Sequence, residues 1–244
     1  MSKLRIGYFT DSHLREKAPG TSGSERRQCR LMKTRLEECV ETWRVAEVDL
    51  IVGTGDTIDD ATQPEAPEDL AIVRNILDRL AVPKIMIPGN HDPYPGVFYE
   101  VFDRPSFLTV MGRYQFLSFL DYCEPGDNAS ERDERSIERM SKALTYNPKD
   151  VAMTVALQHY EIYPEGLTGY PYNYKNAATI RKAMQKSKAK ILSVSGHYHR
   201  GIPLTEHKGV TYFVGKALCE EPFPCYVIEL DGQDVRIRQI DRAG

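Results

Sequence analysis

The sequence predicts an α/β fold: one domain with two sheets, carried by three observations. In the N-terminal third, short apolar runs alternate with helix-length segments in the order β-α-β-α-β, which implies right-handed crossovers and parallel strands. In the C-terminal third, apolar runs follow one another across turns such as Asp231-Gly232, as antiparallel strands do. The third observation is chemical. Five of the apolar runs deliver Asp, Asn or His directly after their last residues, and in parallel sheets ligands gather beyond those carboxyl ends.

The elements follow in order. Leu4 to Phe9 is short and β-prone and stops at Thr10-Asp11. Residues 14–24 form a loop rich in Gly, Ser, Lys and Arg, in which Arg15 and Lys17 are candidates to reach a substrate phosphate. Glu25 to about Val48 predicts a long helix, with Leu31, Leu36, Val40 and Trp43 on one face. Asp49 to Gly53 is a second buried strand, and residues 68–80 a helix leading to a strand over 84–87. Beyond it, Tyr114 to Asp121 reads as a strand and Ser130 to Thr145 as a charged, exposed helix. Val151 to Leu157 is a buried strand, residues 176–187 a helix, and Lys190 to Val194 another strand. Val210–Val214, Cys225–Leu230 and Val235–Ile240 complete the antiparallel set, whose edge offers a surface for a homo-oligomer.

Bulk properties exclude several classes. With 244 residues the chain buries a core without disulfide help. A net charge of −3 and a pI of about 6.1 provide no general field for nucleic acid. The five Cys are odd in number and scattered, with no CxxC pair, which predicts reduced thiols in the cytoplasm. Met1 to Arg5 enters a strand without an apolar signal segment, and no run is long enough to span a membrane.

The chemistry is concentrated in a few segments. They are Asp11-Ser12-His13, Gly55-Asp56, Pro88-Gly89-Asn90-His91-Asp92, Gln158-His159 and Gly196-His197-Tyr198-His199. Five of the six His lie in them, which decides against chance placement. Taken singly, Asp11 reads as a turn cap, His13 or His159 as a satisfied core imidazole, and Asn90 as a turn residue. Together they are a ligand set. Asp11 and His13, like His197 and His199, are two apart and share a face in extended chain. Seven ligands (Asp11, His13, Asp56, Asn90, His159, His197 and His199) exceed the capacity of one ion. They suit two ions about 3.5–4 Å apart, bridged by one carboxylate and one hydroxide. The oxygen and imidazole mixture selects Mn, Fe, Zn or Co over Ca. Two such ions bring bound water towards a pKa of about 7 and neutralise a phosphoryl group. His91 can give a proton, and Asp92 is placed in sequence to orient its imidazole.

In that order, Asp-x-His, Gly-Asp, Gly-Asn-His-Asp, a lone His and Gly-His-x-His resemble the calcineurin-like metallophosphoesterase superfamily. The resemblance implies a four-layer αββα sandwich over residues 1–244. It implies that Asp11, His13, Asp56 and His199 hold one ion, and that Asp56, Asn90, His159 and His197 hold the other. His91, oriented by Asp92, would then protonate the leaving oxygen after in-line attack by a metal-bridging hydroxide. The spacing is most similar to the compact class III cyclic nucleotide and glycerophosphodiester phosphodiesterases, so a small phosphodiester is the expected substrate. Asp60 and Pro88 stand where protein phosphatases of the superfamily carry Arg. A diphosphate-derivative hydrolase, a phosphomonoesterase and a non-catalytic scaffold are the alternatives.

Several residues have lesser roles. The segment from Tyr160 to Tyr174 carries Tyr160, Tyr163, Tyr170, Tyr172 and Tyr174, either as packing or as a wall for an apolar leaving group. Tyr160, Tyr163 and Tyr198 are the candidate substrate contacts. Asp59 and Asp60 read as turn caps, and His207 as an exposed hairpin residue.

Overall fold

Strand β1 (Leu4–Phe9) divides its side chains between two cores, as the two-residue period of a strand requires. Leu4, Ile6 and Tyr8 enter one core and Phe9 the other. Gly7 leaves room for Trp43, whose ring a Cβ would strike at 2.7 Å. The computed structural model describes residues 3–93, 96–121, 129–145, 150–164 and 174–242.

Helix α1 (Met32–Val45) follows a 3₁₀ turn at Cys29–Leu31 and precedes β2 (Leu50–Gly53). Helix α2 (Ala66–Leu77), with Pro67 in its first turn, leads to β3 (Lys84–Met86). A short helix α3 (Phe98–Val101) and strands β4 (Leu108–Met111) and β5 (Tyr114–Ser118) come next. Then follow α4 (Glu134–Thr145), β6 (Met153–Leu157), α5 (Ala177–Met184) and β7 (Lys190–Ser195). The chain ends in β8 (Ile202–His207), β9 (Val210–Val214), β10 (Cys225–Asp231) and β11 (Asp234–Ile240).

The first sheet has the order β11-β10-β1-β2-β3 and the second β4-β5-β6-β7-β9-β8. Both are mixed. In the first, β1, β2 and β3 are parallel and β10 and β11 antiparallel. In the second, β5, β6, β7 and β9 are parallel and the edge strands β4 and β8 antiparallel. Three cores separate four layers. Trp43, Leu36, Leu70 and Val73 cover the outer face of the first sheet, and Ile6, Tyr8, Phe116 and Val155 fill the space between the sheets. Met140, Leu144, Ile180 and Met184 cover the second sheet. This is the αββα sandwich.

Some boundaries differ from the sequence reading. The first helix begins at Met32, because residues 25–31 are spent on a loop whose Arg30 guanidinium donates to the carbonyls of Arg15, Glu16, Ala18 and Gly20. The α4 helix is exposed on one face only, since Met140 and Leu144 are buried. The C-terminal strands are not uniformly antiparallel, for β9 lies parallel to β7. Edge strands β4 and β8 escaped sequence reading: neither is buried enough to form a continuous apolar run, and Pro203 is tolerated only at an edge. Edge strand β11 carries exposed Arg236 and Arg238, charges that discourage edge-to-edge pairing. Among the described residues no helix is long and apolar enough to cross a membrane.

Candidate metal centre

Parallel strands within each sheet carry the polar turns to one end, and the two sheets meet there. Tyr8, wholly buried, donates to the Ser195 carbonyl at 2.7 Å and accepts from Thr54 Oγ1 at 2.9 Å, tying β1 and β2 to β7 beneath the site. Main-chain bonds interlock the turns: Asp11 N–H to the Gly55 carbonyl (3.0 Å), His13 N–H to Asp56 (2.9 Å) and Gly196 N–H to His159 (2.9 Å).

The backbone is strained where the ligand candidates sit. Seven described residues other than glycine have positive φ, and four of them are Asp11 (52°), His13 (44°), Asp56 (50°) and His197 (66°). Such conformations cost about 1–3 kcal/mol each and persist only where the surroundings enforce them. Their concentration here is the backbone signature of a candidate site. Two glycines permit the crowding. A Cβ at Gly89 would collide with Asp56 Oδ1, and one at Gly196 with Thr10 Oγ1 and Asp11 Oδ2. These residues are small because backbone passes a carboxylate, not merely because the chain turns.

The side chains converge as two clusters. Ligand atoms of Asp11, His13, Asp56 and His199 lie within 4.8 Å of one another, and so do those of Asp56, His159 and His197. Asp56 belongs to both: its Oδ2 is 3.5 Å from His13 Nε2 and 3.4 Å from His159 Nε2. In the first cluster His13 Nε2 faces His199 Nε2 at 3.3 Å, and His199 Nε2 is 3.5 Å from Asp11 Oδ1. In the second, His159 Nε2 is 3.1 Å from His197 Nδ1 and 3.2 Å from Asn90 Oδ1. Ligands about 2.0–2.2 Å from one ion are separated by about 3.0–3.5 Å. The donor set fits.

Outer partners aim the rings. His159 Nδ1–H donates to the Thr54 carbonyl at 2.7 Å and His199 Nδ1–H to Glu220 Oε1 at 2.7 Å, turning each Nε2 inward. Burial holds His13 and His197 well below the ordinary imidazole range, in the neutral form that offers a lone pair. Burial pushes the Asp56 carboxyl up, but His159 and His91 outweigh it and hold it well below its ordinary value. Burial opposes the charge on His159, yet Asp56 beside it raises its pKa to about 9. Asp11 is raised by burial. A cation held here would take the place of the positive charge that His159 carries beside Asp56.

His91 and Asp92 sit beside the clusters but are not joined as the sequence suggested. The Asp92 carboxylate accepts the N–H groups of Thr57, Ile58 and Gly89, so it pins the turns around Asp56 and does not orient the imidazole. Burial, then Asp56, raises its pKa to about 6. The His91 ring is aimed by the Asp59 carbonyl. Asp59 itself is no turn cap: its carboxylate accepts from Arg15 Nε (2.8 Å) and Ser22 Oγ (3.0 Å) and lies 3.6 Å from His13 Nδ1. Asp60 does close a turn, accepting the Thr62 N–H. Arg15 is consequently tied to Asp59 and Asp60 and is buried; Lys17 is exposed.

The tyrosines mostly pack. Tyr160 is buried between His159, His197 and Tyr174. Tyr163 stacks on His207, which is therefore half-buried, at the end of the second sheet remote from His197. Tyr174 bonds Asp121 and Arg132. Tyr198 is half-buried in the turn between His197 and His199. Tyr170 and Tyr172 lie outside the described residues.

Three residues at the site gave no readable signal in sequence. Cys219 Sγ lies with the His13 and His199 nitrogens within 4.8 Å, Glu220 orients His199, and Arg27 faces His91. They are brought in by loops, with no strand or spacing to announce them.

Known proteins resemble this chain in family pattern and in fold. The family model for calcineurin-like phosphoesterases matches residues 4–201. No curated protein sequence matches the chain. A dimetal phosphatase structure from Danio rerio has a TM-score of 0.73 at 14% identity, covering 98% of this chain and 99% of that one. A purple acid phosphatase from yellow lupin has a TM-score of 0.61 at 14% identity, and the chain spans 54% of its length. A 5′-nucleotidase from Candida albicans has a TM-score of 0.58 at 12% identity, with 51% of its length covered. At these identities the structures speak for the fold. The family match, over most of the sequence, speaks for descent: the chain belongs to the calcineurin-like phosphoesterases.

Proposed function

We propose that residues 1–244 act as one domain, a dinuclear metal-dependent phosphodiesterase for a small diester of the cyclic nucleotide or glycerophosphodiester type. Asp11, His13, Asp56 and His199 hold one ion, and Asp56, Asn90, His159 and His197 the other. The observation that carries this reading is the position of Asp56 Oδ2, 3.5 Å from His13 Nε2 and 3.4 Å from His159 Nε2, where one oxygen can serve both clusters. Bound Mn, Fe, Zn or Co would acidify water and neutralise the phosphoryl charge. His91 delivers the proton to the leaving oxygen, steered by the Asp59 carbonyl. Tyr198 borders the substrate; Tyr160 supports the histidines from below. The partner is a small phosphoester in the cytoplasm rather than nucleic acid or membrane.

The test is a paired assay on protein reconstituted with Mn, using bis-p-nitrophenyl phosphate against p-nitrophenyl phosphate, with bound metal counted. Preference for the diester is expected. Preference for the monoester would replace the reading with a phosphatase, and two bound ions without turnover on either would point to a diphosphate hydrolase or a scaffold.

A further inference from the structure

Cys219 is carried to the site by a stretch of chain whose backbone is held on three sides. Ala217 N–H donates to the His199 carbonyl at 3.0 Å and Cys219 N–H to the Asp11 carbonyl at 3.1 Å. The Cys219 carbonyl in turn accepts from Gln28 N–H at 2.8 Å. The thiol on this pinned backbone is fully buried and has no hydrogen-bond partner among the described residues. Its Sγ and a ring nitrogen from each of His13 and His199 all lie within 4.8 Å of one another. Cys29, Cys39 and Cys225 are buried as well, yet among the described residues none of them joins such a cluster.

The same two imidazoles therefore stand in two donor sets. With Asp11 and Asp56 they form an oxygen-rich set, and with Cys219 a sulfur set that no carboxylate joins. His13 Nε2 and His199 Nε2 are 3.3 Å apart, the separation of two nitrogens held at about 2.0–2.1 Å by one tetrahedral ion. A thiolate on that ion, at about 2.3 Å, stands about 3.5 Å from each nitrogen, inside the span the donors already occupy. Ion chemistry separates the sets: carboxylate and imidazole suit Mn, whereas thiolate with imidazole suits Zn. His199 Nδ1 is spent on Glu220, so its Nε2 is the one nitrogen it can offer to either ion. The two sets cannot be filled at once.

We propose that Cys219, His13 and His199 form a zinc site that overlaps the position of the first ion, so that zinc bound through sulfur displaces the ion held by Asp11 and Asp56. Forming the zinc–sulfur bond releases the thiol proton to solvent, and water completes four ligands. Zinc is then an inhibitor that competes with the working metal and not with substrate. The displacement rests on the dinuclear reading; the sulfur site rests on its three donors.

The experiment titrates metal-free protein with Co(II), a spectroscopic stand-in for zinc, and follows the sulfur-to-cobalt charge-transfer band in the near ultraviolet. Wild type and Cys39→Ser should show the band. Cys219→Ser and Cys219→Ala should lack it while keeping the folded circular dichroism spectrum and both Mn ions. Zinc should erase the band, and in Mn-loaded wild type should release a Mn ion by elemental counting. Even an outer partner of a ligand changes metal affinity by about 10–100-fold, so losing Cys219 should weaken zinc at least about tenfold. No band in wild type overturns the site whatever the variants do, and so does a band that survives in Cys219→Ser. Zinc bound beside two retained Mn ions overturns the displacement. Two Mn ions taken up without a cobalt–sulfur band sink the sulfur site and leave the dinuclear reading intact. A cobalt–sulfur band in a chain that takes up no Mn removes the dinuclear reading and the displacement with it.

Discussion

His91 Nδ1 lies 2.6 Å from the main-chain carbonyl of Asp59, and that bond sets the direction of the imidazole. The neighbouring Asp92 carboxylate is turned the other way, onto three backbone N–H groups. The two residues of one motif therefore have separable functions. His91→Ala should keep both ions and lose turnover by about 10²–10⁴-fold, the contribution of a positioned acid. Asp92→Ala should unfold more easily by about 2–5 kcal/mol, because buried donors lose a charged acceptor. Denaturant melts and single-turnover rates separate the two; an Asp92→Ala protein of normal stability with a proton-transfer defect would reverse the assignment.

Asp56→Asn should weaken both ions together, because its Oδ2 approaches both clusters. Metal titration by calorimetry with elemental counting checks this. Two tightly held ions in the variant would falsify the bridging role.

Glu220 accepts from His199 Nδ1 at 2.7 Å, and partners of this kind change metal affinity by about 10–100-fold. Glu220→Ala should weaken the ion held by His13 and His199 by that range and spare the other. Equal weakening of both sites, or of neither, would show that the contact does not tune the first cluster.

Gly196→Ala would push a methyl group into Thr10 Oγ1 and Asp11 Oδ2. Overpacking of this kind costs about 1–3 kcal/mol, and here a displaced group is the proposed ligand Asp11. Reduced thermal stability together with weaker metal binding is expected. A variant as stable and as metal-competent as wild type would mean the turn relaxes freely.

Glu161 is buried, its carboxylate has no hydrogen-bond partner among the described residues, and burial raises its pKa to about 8. Below its ordinary value of 4.5 the folded and unfolded chains both hold the proton. Between 4.5 and about 8 only the folded chain keeps it, so stability falls as pH rises, by up to about 1.4 kcal/mol per unit. Glu161→Gln should flatten that slope. Melting curves of the metal-free protein from pH 5 to 8 test it, and parallel slopes for the two proteins would discount burial as the cause.

The order of elements and the residue types after each apolar run were enough to indicate which strands end at the candidate site and which residues bring donor atoms there. Strand periodicity and residue type are local properties, so the convergence of Asp11, His13, Asp56, Asn90, His159, His197 and His199 could be expected without coordinates. The sequence did not determine how their neighbours are used. Asp92 against Asp59, Arg15 against Arg27, and the arrival of Cys219 and Glu220 depend on where loops cross after the sheets have packed. Even the glycines at 89 and 196 show this, since the atoms that forbid a side chain there belong to residues 33 and 185 positions away. Loop contacts between distant positions carry no period, and only the packed tertiary structure decides them.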